Sequence, residues 1–193
     1  MINRTRMKAL INAIDYIQEK NIDGSFVECG VWKGGCIMAM MERLKFHKMN
    51  RMIWAYDTFS EGMLGACEKD ISVKGHIGSD LNGQLSTKRE TFEKNISKID
   101  YDINKVIIIE GDARQTIVEN KPEQIALLRL DMDFYEATKI ALHELYPLVS
   151  NGGIILFDDY NWWNGAKKAV DEYIDSLGTK PRVISNDNHW IIK

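Results

Sequence analysis

The feature that most constrains the fold is a regular alternation of strand-type and helix-type segments along the chain. Short runs rich in Val, Ile and Leu are followed, after brief connections, by segments whose apolar residues recur at helical spacing. Such alternation predicts βαβ units and a mostly parallel sheet that is covered by helices on both faces. We therefore expect an α/β fold.

The predicted elements can be placed along the chain. We expect parallel strands at about 25–29, 51–57, 104–110, 124–131 and 152–159, and helices at about 5–20, 35–47, 86–98, 113–120, 134–148 and 163–177. Two further strands, at about 181–185 and 189–192, are separated by too few residues for a crossover helix. They are therefore expected to form an antiparallel hairpin. The prediction is a seven-stranded sheet, mostly parallel, with a C-terminal antiparallel strand.

Length and composition narrow the class of protein. The 193 residues fit a single domain over 1–193, with an N-terminal helix within 1–22. A net charge of −3 gives no basic field for nucleic acid, and no apolar run is long enough to span a membrane. The N-terminus has no signal-peptide core, and the three cysteines lack metal-type or CxxC spacing. We expect a cytoplasmic protein with free thiols, and a homo-oligomer is left open.

Acidic residues stand at the carboxyl end of every predicted parallel strand. The strands end in Glu28, Asp57, the Glu110-Gly111-Asp112 run, Asp131 with Asp133, and the Asp158-Asp159 pair. In an open parallel sheet, ligands bind beyond the carboxyl ends of the strands. We therefore expect one site, lined with carboxylates, at this edge of the sheet.

A glycine-rich turn, VECGVWKGGC at 27–36, joins the first strand to its helix. It has neither the GxGxxG spacing of a dinucleotide site nor a Walker A pattern. Asp57 suits the hydroxyls of a ribose, whereas Asp112 either accepts a hydrogen bond from an adenine or caps the following helix. The missing phosphate contacts favour an adenosine without phosphates, and S-adenosylmethionine carries a sulfonium that is compatible with carboxylates.

The acidic residues after the fourth and fifth strands suggest a metal site. Neighbouring strands lie roughly 4.8 Å apart, so Asp131 would meet the Asp158-Asp159 pair if the two strands are adjacent. Carboxylates this close repel unless a cation joins them, and Mg²⁺ or another divalent cation prefers such oxygen ligands. A bound metal would lower the pKa of an acceptor hydroxyl. The alternative is that Asp133 and Asp159 cap helices and that the other carboxylates are solvated.

Six segments over about 26–173 occur in the order typical of a known family: FVECGVWKGG, AYDTFSEGM, EGDARQT, LLRLDMDFYEAT, LYPLVSNGGIILFDDY and AKKAVDEY. Together they resemble the macrocin O-methyltransferase family. The family consists of metal- and S-adenosylmethionine-dependent sugar O-methyltransferases. The resemblance implies a Rossmann-like seven-stranded methyltransferase fold and an acceptor sugar hydroxyl beside a second hydroxyl. It also implies metal ligation by Asp131, Asp158 and Asp159, with Asp133 as an alternative to Asp131. The cofactor contacts that it implies are Glu28, Gly30, Val31, Trp32, Gly34, Asp57, Thr58, Phe59, Ser60, Gly111, Asp112 and Ala113.

The acceptor is less constrained. The chain is shorter than we expect for antibiotic-modifying members, which favours a bacterial surface glycan or a nucleotide-linked sugar. The alternatives are a catechol-type or other small-molecule O-methyltransferase and a non-catalytic nucleoside-binding domain. A nicotinamide dehydrogenase is disfavoured because GxGxxG is absent.

Several other residues are candidates for the site. The polar segment 58–85 carries five glycines and is a possible active-site lid. Within it, His76 is a candidate general base, together with Asp133, although a loop histidine without a role is the alternative. The pair Trp162 and Trp163 either stacks on a sugar or covers the core or an oligomer contact. Arg129 interrupts a buried strand and needs a partner, either a cluster carboxylate or Glu144.

Overall fold

The computed structural model describes residues 2–178, 181–185 and 190–193, and it confirms the α/β class. The helices are α1 (Arg4–Glu19), α2 (Gly35–Phe46), α3 (Arg89–Ile96), α4 (Ala113–Glu119), α5 (Tyr135–Leu145) and α6 (Asn164–Ser176). The strands are β1 (Ser25–Cys29), β2 (Ile53–Asp57), β3 (Val106–Glu110), β4 (Ile125–Leu130), β5 (Val149–Phe157), β6 (Arg182–Ser185) and β7 (Trp190–Ile192). Each of these elements overlaps a predicted one.

The seven strands form one sheet in the order β3-β2-β1-β4-β5-β7-β6. Strands β1 to β5 run parallel, and β7 pairs antiparallel with both β5 and β6, as predicted. The residues that connect β6 to β7 lie outside the described part of the chain. Strands β2 and β3 lie on one side of β1, whereas β4 and β5 lie on its other side. The direction in which successive strands are added to the sheet therefore reverses between β1 and β4. Such a switch point opens a crevice at the carboxyl ends of the strands.

Each face of the sheet carries its own apolar core. Helices α1, α2 and α3 cover one face, where they pack against inward residues such as Phe26, Ile53 and Leu127. Helices α4, α5 and α6 cover the other face, against Val27 and Leu128 among others. Neighbouring residues of one strand thus enter opposite cores, which explains why the strands are apolar runs rather than alternating patterns.

The ends of several elements differ from the sequence prediction for local reasons. Helix α3 begins at Arg89 and not near 86, because the Thr87 N–H is held in an extended turn by the Phe59 carbonyl at 3.0 Å. Helix α5 ends at Leu145 and gives way to a short 3-10 turn that contains Pro147. Proline cannot donate the backbone hydrogen bond that a continuing α-helix needs. Strand β5 consequently begins at Val149 and is longer than expected.

Residues 58–85, called the roof segment below, contain no α-helix and cross over the carboxyl ends of the strands. Their apolar residues Met63, Ala66 and Leu81 pack on a third, small core made by Phe134, Trp163 and Ala166. Two 3-10 turns and an isolated bridge from Ser72 to Trp163 add regular backbone contacts. In the described part of the chain, no helix combines the length and the apolarity needed to cross a membrane.

Candidate active site

A cavity of about 530 Å³ opens beyond the carboxyl ends of the strands, at the switch point between β1 and β4. This volume lies within the usual range for small-molecule sites. The roof segment provides part of its wall. The cavity is lined by thirteen of the sequence-predicted residues, which are Glu28, Gly30, Val31, Trp32, Asp57, Thr58, Gly111, Asp112, Ala113, Asp131, Asp133, Asp158 and Asp159.

Three predicted cofactor residues do not line this cavity. Gly34 has a left-handed backbone, and a Cβ added there would lie 2.9 Å from the Phe92 ring, so this glycine lets α3 pack closely. Phe59 is fully buried, with its ring centroid 5.5 Å from that of Phe92. Ser60 is exposed to solvent. These residues belong to the predicted cofactor motifs in sequence, but Gly34 and Phe59 serve packing and the Ser60 side chain faces solvent.

His76 also lies away from the cavity. Its side chain is exposed, and its backbone N–H donates to Ser72 Oγ at 2.9 Å. Its carbonyl accepts the Ser72 N–H at the same distance, which closes a turn between two short extended stretches of the roof segment. The structure therefore agrees with the alternative for His76, an exposed loop histidine outside the cavity.

Gly30 determines how closely the glycine-rich turn approaches the end of β4. Its φ is +85°, and a Cβ there would lie 1.9 Å from the Asp131 carbonyl oxygen. The Gly30 N–H donates to the Tyr56 carbonyl at 2.8 Å, and the Asp131 N–H donates to the Cys29 carbonyl at 2.9 Å. Glycine is needed for both the conformation and the approach. Any side chain at this position would separate the cofactor turn from Asp131.

Asp57, at the end of β2, binds the backbone of the glycine-rich turn that follows β1. Its Oδ2 accepts the Trp32 N–H at 2.7 Å and its Oδ1 accepts the Phe59 N–H at 2.6 Å. Burial raises the pKa of Asp57, and the backbone N–H groups oppose that shift. A carboxylate oxygen accepts more than one hydrogen bond, so Asp57 retains the capacity to bind ribose hydroxyls. The buried Trp32 Nε1–H has no hydrogen-bond partner among the described residues, which suits a site that binds a polar ligand.

Asp112 is the N-cap of α4, as one of its two alternatives predicted. Its Oδ1 accepts the Arg114 N–H at 2.9 Å, and both of its oxygens contact the Arg114 guanidinium. These hydrogen bonds to Arg114 lower the pKa of Asp112. The residue is ionised and lines the cavity, so an adenine contact remains a prediction beside the capping role.

Asp131, Asp158 and Asp159 are brought together as predicted, because β4 and β5 are neighbours. One carboxylate oxygen from each lies within 4.8 Å of the others, and oxygen-only ligands suit a hard divalent cation. Asp133 accepts the Trp163 Nε1–H at 2.8 Å, and its own N–H reaches Asp159 Oδ2 at 3.2 Å. The N-cap residues of α5 and α6 are Phe134 and Trp163, and neither Asp133 nor Asp159 caps these helices, so the helix-cap alternative for the two aspartates is wrong.

The carboxyls of this cluster differ in their affinity for protons. Burial, followed by the nearby charge of Asp131, raises the pKa of Asp133 to about 7 and also raises that of Asp158. Burial and the charge of Asp133 raise the pKa of Asp159 well above its ordinary value. For Asp131 burial acts in the same direction, but Arg129 outweighs it and lowers the pKa. Carboxyls whose pKa values are raised by burial and by one another's charge form a cluster that a divalent cation would stabilise.

Among the described residues, two arginines form ion pairs with the carboxylates of the cluster. The Arg129 side chain is 2% exposed and pairs with Glu28, with Asp131 Oδ2 at 2.8 Å and with Asp158 Oδ1 at 2.7 Å. Its predicted partner is thus a cluster carboxylate and not Glu144, which pairs with Lys121. Arg6 extends from α1 to Asp158 Oδ2 at 2.6 Å. Sequence analysis missed Arg6, because only the fold of α1 over the sheet edge brings it to the site.

The two tryptophans after Asp159 have different surroundings. Trp163 is 3% exposed, and its ring packs edge-on against Phe134 with 5.5 Å between centroids. It therefore covers the small core, as the alternative to sugar stacking predicted. Trp162 is 36% exposed, with the Lys74 ammonium 5.1 Å from its ring centre.

Comparisons with known proteins agree with this geometry. The chain matches the family model described as Macrocin-O-methyltransferase (TylF) over residues 1–191. It is 31% identical over 198 residues to demethyldecarbamoylnovobiocin O-methyltransferase of Streptomyces niveus, covering 99% of this chain and 73% of that protein. It is 29% identical over 181 residues to 8-demethyl-8-(2,3-dimethoxy-alpha-L-rhamnosyl)-tetracenomycin-C 4'-O-methyltransferase of Streptomyces olivaceus, covering 92% of this chain and 68% of that protein.

A solved structure gives the same result for the fold. The O-methyltransferase NovP superposes with a TM-score of 0.86 at 28% identity, covering 97% of this chain and 79% of that chain. The Rossmann-like methyltransferase fold expected from the sequence is thereby confirmed. The chain belongs to the macrocin O-methyltransferase (TylF) family and is an S-adenosylmethionine-dependent O-methyltransferase.

Proposed function

We propose that this enzyme methylates a sugar hydroxyl and that it requires a divalent cation, expected to be Mg²⁺, bound by Asp131, Asp158 and Asp159. The observation that carries the proposal is the convergence of three carboxylate oxygens within 4.8 Å of one another at a cavity of suitable size. The raised pKa of Asp158 and of Asp159 supports it, because a bound cation would offset the burial and the mutual repulsion that raise them. The rhamnosyl substrate named for the Streptomyces olivaceus relative supports the sugar class of acceptor.

The cofactor is proposed to bind along the ends of β1, β2 and β3. Asp57 would hold the ribose hydroxyls, and Asp112 would accept a hydrogen bond from the adenine. Gly30 allows the backbone of the turn to approach the methionine part of the cofactor. This arrangement directs the sulfonium towards Asp131 and the acidic cluster, which favours its positive charge.

Asp133 is the group we assign as general base. It lines the cavity beside the proposed metal ligands, whereas His76 does not, and a carboxylate at this position can accept the proton of an acceptor hydroxyl. The indole N–H of Trp163 orients its carboxylate at 2.8 Å. A divalent cation bound nearby would lower the pKa of the acceptor hydroxyl. The protein's own contribution is to align the acceptor oxygen with the methyl group and to exclude water.

The side chains that line the cavity also indicate which class of acceptor it can bind. Its cationic side chains among the described residues are Arg6, Lys33 and Arg129, and both arginines are already paired with carboxylates. Lys33 has no ion-pair partner among the described residues, so one cation remains for a phosphate group. The apolar side chains of Met63 and Leu64 line the wall that belongs to the roof segment. This apolar wall favours a sugar that is attached to an apolar group.

The decisive experiment measures methyl transfer and binding on the same samples. S-adenosylhomocysteine is titrated calorimetrically with Mg²⁺ and with chelator, and labelled S-adenosylmethionine is offered with vicinal sugar diols and, separately, with catechols. Wild type should bind the nucleoside under both conditions and should methylate a sugar diol only with the metal. A preference for catechols would contradict the proposed acceptor.

Asp158→Asn tests the proposed metal ligand, and the exposed Asp80→Asn in the roof segment is its control. Asp158→Asn should abolish transfer and retain nucleoside binding, while Asp80→Asn should retain both. If neither substitution affects transfer, Asp158 is not a metal ligand. If wild type does not bind the nucleoside under either condition, the assigned cofactor site is wrong.

A further inference from the structure

Asp70, in the middle of the roof segment, is a fully buried carboxylate outside the cavity wall. Its Oδ1 accepts the Tyr135 N–H at 2.8 Å and its Oδ2 accepts the Cys67 N–H at 2.7 Å. Its carbonyl accepts the Gly78 N–H at 2.7 Å. No described cation lies within ion-pair distance of it. A buried carboxylate without a cation is costly, and here backbone N–H groups compensate it.

Two glycines give Asp70 the space that it occupies. A Cβ added at Gly165, near the start of α6, would lie 1.8 Å from Asp70 Oδ1. A Cβ added at Gly78 would lie 2.9 Å from both the Asp70 side chain and its carbonyl oxygen. The φ of Gly165 is not positive, so conformation does not require glycine there. Helix α6 thus has a poor helix former in its first turn because Asp70 fills the position of the missing side chain.

Asp70 stands where the roof segment meets the loop that carries the proposed metal ligands. Tyr135, whose N–H it accepts, is the first residue of α5 and follows Asp133 by two positions. Asp133 has a left-handed backbone, with φ of +59°, that needs support from its surroundings. Beside Asp70, the Val73 N–H donates to the Trp162 carbonyl at 2.9 Å. The roof segment is therefore fastened to both loops that carry the acidic cluster.

We propose that Asp70 is a positioning residue that holds the roof segment against the first turns of α5 and α6 and thereby fixes the loop 131–134. It accepts an otherwise unpaired N–H at the start of α5, where the helix dipole also favours a negative charge. Through this contact it sets the places of Asp131 and Asp133, although it touches neither the cavity nor the cluster. The assignment of its role at the metal site rests on the proposed function.

The test compares Asp70→Ala and Asp70→Asn with Asp80→Asn, an exposed control in the same segment. Mn²⁺ affinity is measured by electron paramagnetic resonance at 10 °C, where all variants are verified as folded, and melting temperatures are measured by circular dichroism. Asp70→Ala should weaken Mn²⁺ binding by about tenfold or more, as removal of outer supporting groups does at metal sites. Asn keeps one acceptor oxygen, so Asp70→Asn should lie between Asp70→Ala and wild type. Asp80→Asn should match wild type.

Gly165→Ala breaks the same contact from the other side. Alone, its Cβ collides with Asp70 and should reduce both Mn²⁺ affinity and melting temperature. In the Asp70→Ala background, the colliding atoms are gone and alanine favours the helix, so Gly165→Ala should cause no further loss. Additive losses in the double variant would show that the two positions do not share a contact, and they would overturn the proposal.

Hydrogen exchange of the amides at 131–135 tests the contact without any metal. Faster exchange in Asp70→Ala than in Asp80→Asn supports the proposal, and equal exchange overturns it. A lower melting temperature of Asp70→Ala with unchanged Mn²⁺ affinity and unchanged exchange would mean a purely structural role, which also overturns it. If wild type itself does not bind Mn²⁺, the metal requirement of the proposed function fails, while the exchange data still decide the role of Asp70.

Discussion

Asp158 receives a guanidinium on each of its two oxygens, and the two arginines are not equivalent. Arg129 is 2% exposed inside the sheet and pairs with two further carboxylates, whereas Arg6 is 26% exposed and reaches in from α1. A divalent cation that binds Asp158 therefore competes with Arg6 much more readily than with Arg129. We predict that Arg6→Ala makes the protein bind Mn²⁺ more tightly.

The size of the effect follows from the burial of the pair. Exposed ion pairs contribute at most about 1 kcal/mol, whereas buried ones are costlier to break. The Arg6 and Asp158 side chains are 26% and 9% exposed, which places their pair between these cases. In wild type, metal binding must therefore spend about 1–2 kcal/mol on breaking the ion pair between Arg6 and Asp158. Arg6→Ala removes this cost, so the Mn²⁺ dissociation constant should fall roughly 5- to 30-fold. Loss of the repulsion between Arg6 and the cation acts in the same direction.

The assay is a Mn²⁺ titration followed by electron paramagnetic resonance at constant ionic strength. Arg4→Ala is the matched control, because Arg4 is exposed on the same helix. Arg4→Ala should bind Mn²⁺ like wild type, and added salt should narrow the difference between Arg6→Ala and wild type. Unchanged or weaker Mn²⁺ binding in Arg6→Ala would refute the competition and would make Arg6 a supporting residue of the site.

Three further predictions concern single residues. Burial and the charge of Asp131 raise the pKa of Asp133 to about 7 in the folded protein, from about 3.9 in the unfolded chain. The proton on Asp133 therefore stabilises the fold fully below about pH 4, and this contribution to the free energy of unfolding is lost as the pH rises through about 7. In chelator, wild type should therefore melt at a higher temperature at pH 5.5 than at pH 8, and Asp133→Asn should show a smaller difference. Asp57→Ala releases two backbone N–H groups and should weaken S-adenosylhomocysteine binding about tenfold or more in calorimetry, with Mn²⁺ affinity unchanged. Arg129→Met leaves buried carboxylates unpaired and should cost about 3–5 kcal/mol in denaturant unfolding, part of which Glu28→Gln should restore.

The sequence predicted the fold well because its main determinants are local. Apolar runs and helical spacing located the parallel strands to within a few residues, and the shortness of the final connection identified the antiparallel pair. The meeting of the strand-end carboxylates was also predictable, because parallel strands place their carboxyl ends on one edge. That rule brought Asp57, Asp131 and Asp158 to one cavity without any knowledge of tertiary contacts.

The missed residues all depend on contacts between distant segments. The path of the roof segment is set by its packing on Phe134 and Trp163, and no periodic pattern in 58–85 indicates it. His76 was therefore placed at the site and Asp70 was overlooked. Arg6 lies on α1. The spacing of the apolar residues of α1 predicts which face of the helix is buried, but it does not predict which end of the sheet Arg6 reaches.

The ion pairs of the site also have a consequence for how the enzyme folds. Glu28 and Arg129 are 101 residues apart in the chain, and Arg6 and Asp158 are 152 residues apart. During synthesis, β1 cannot pair with β4, one of its two neighbours in the sheet, until β4 has emerged. Contacts between segments that are so distant in the chain form slowly. The acidic edge is therefore completed only when β1, β4 and β5 have paired in the native order. We therefore expect the recovery of Mn²⁺ binding during refolding to follow the pairing of β1, β4 and β5, whereas recovery of helical signal need not.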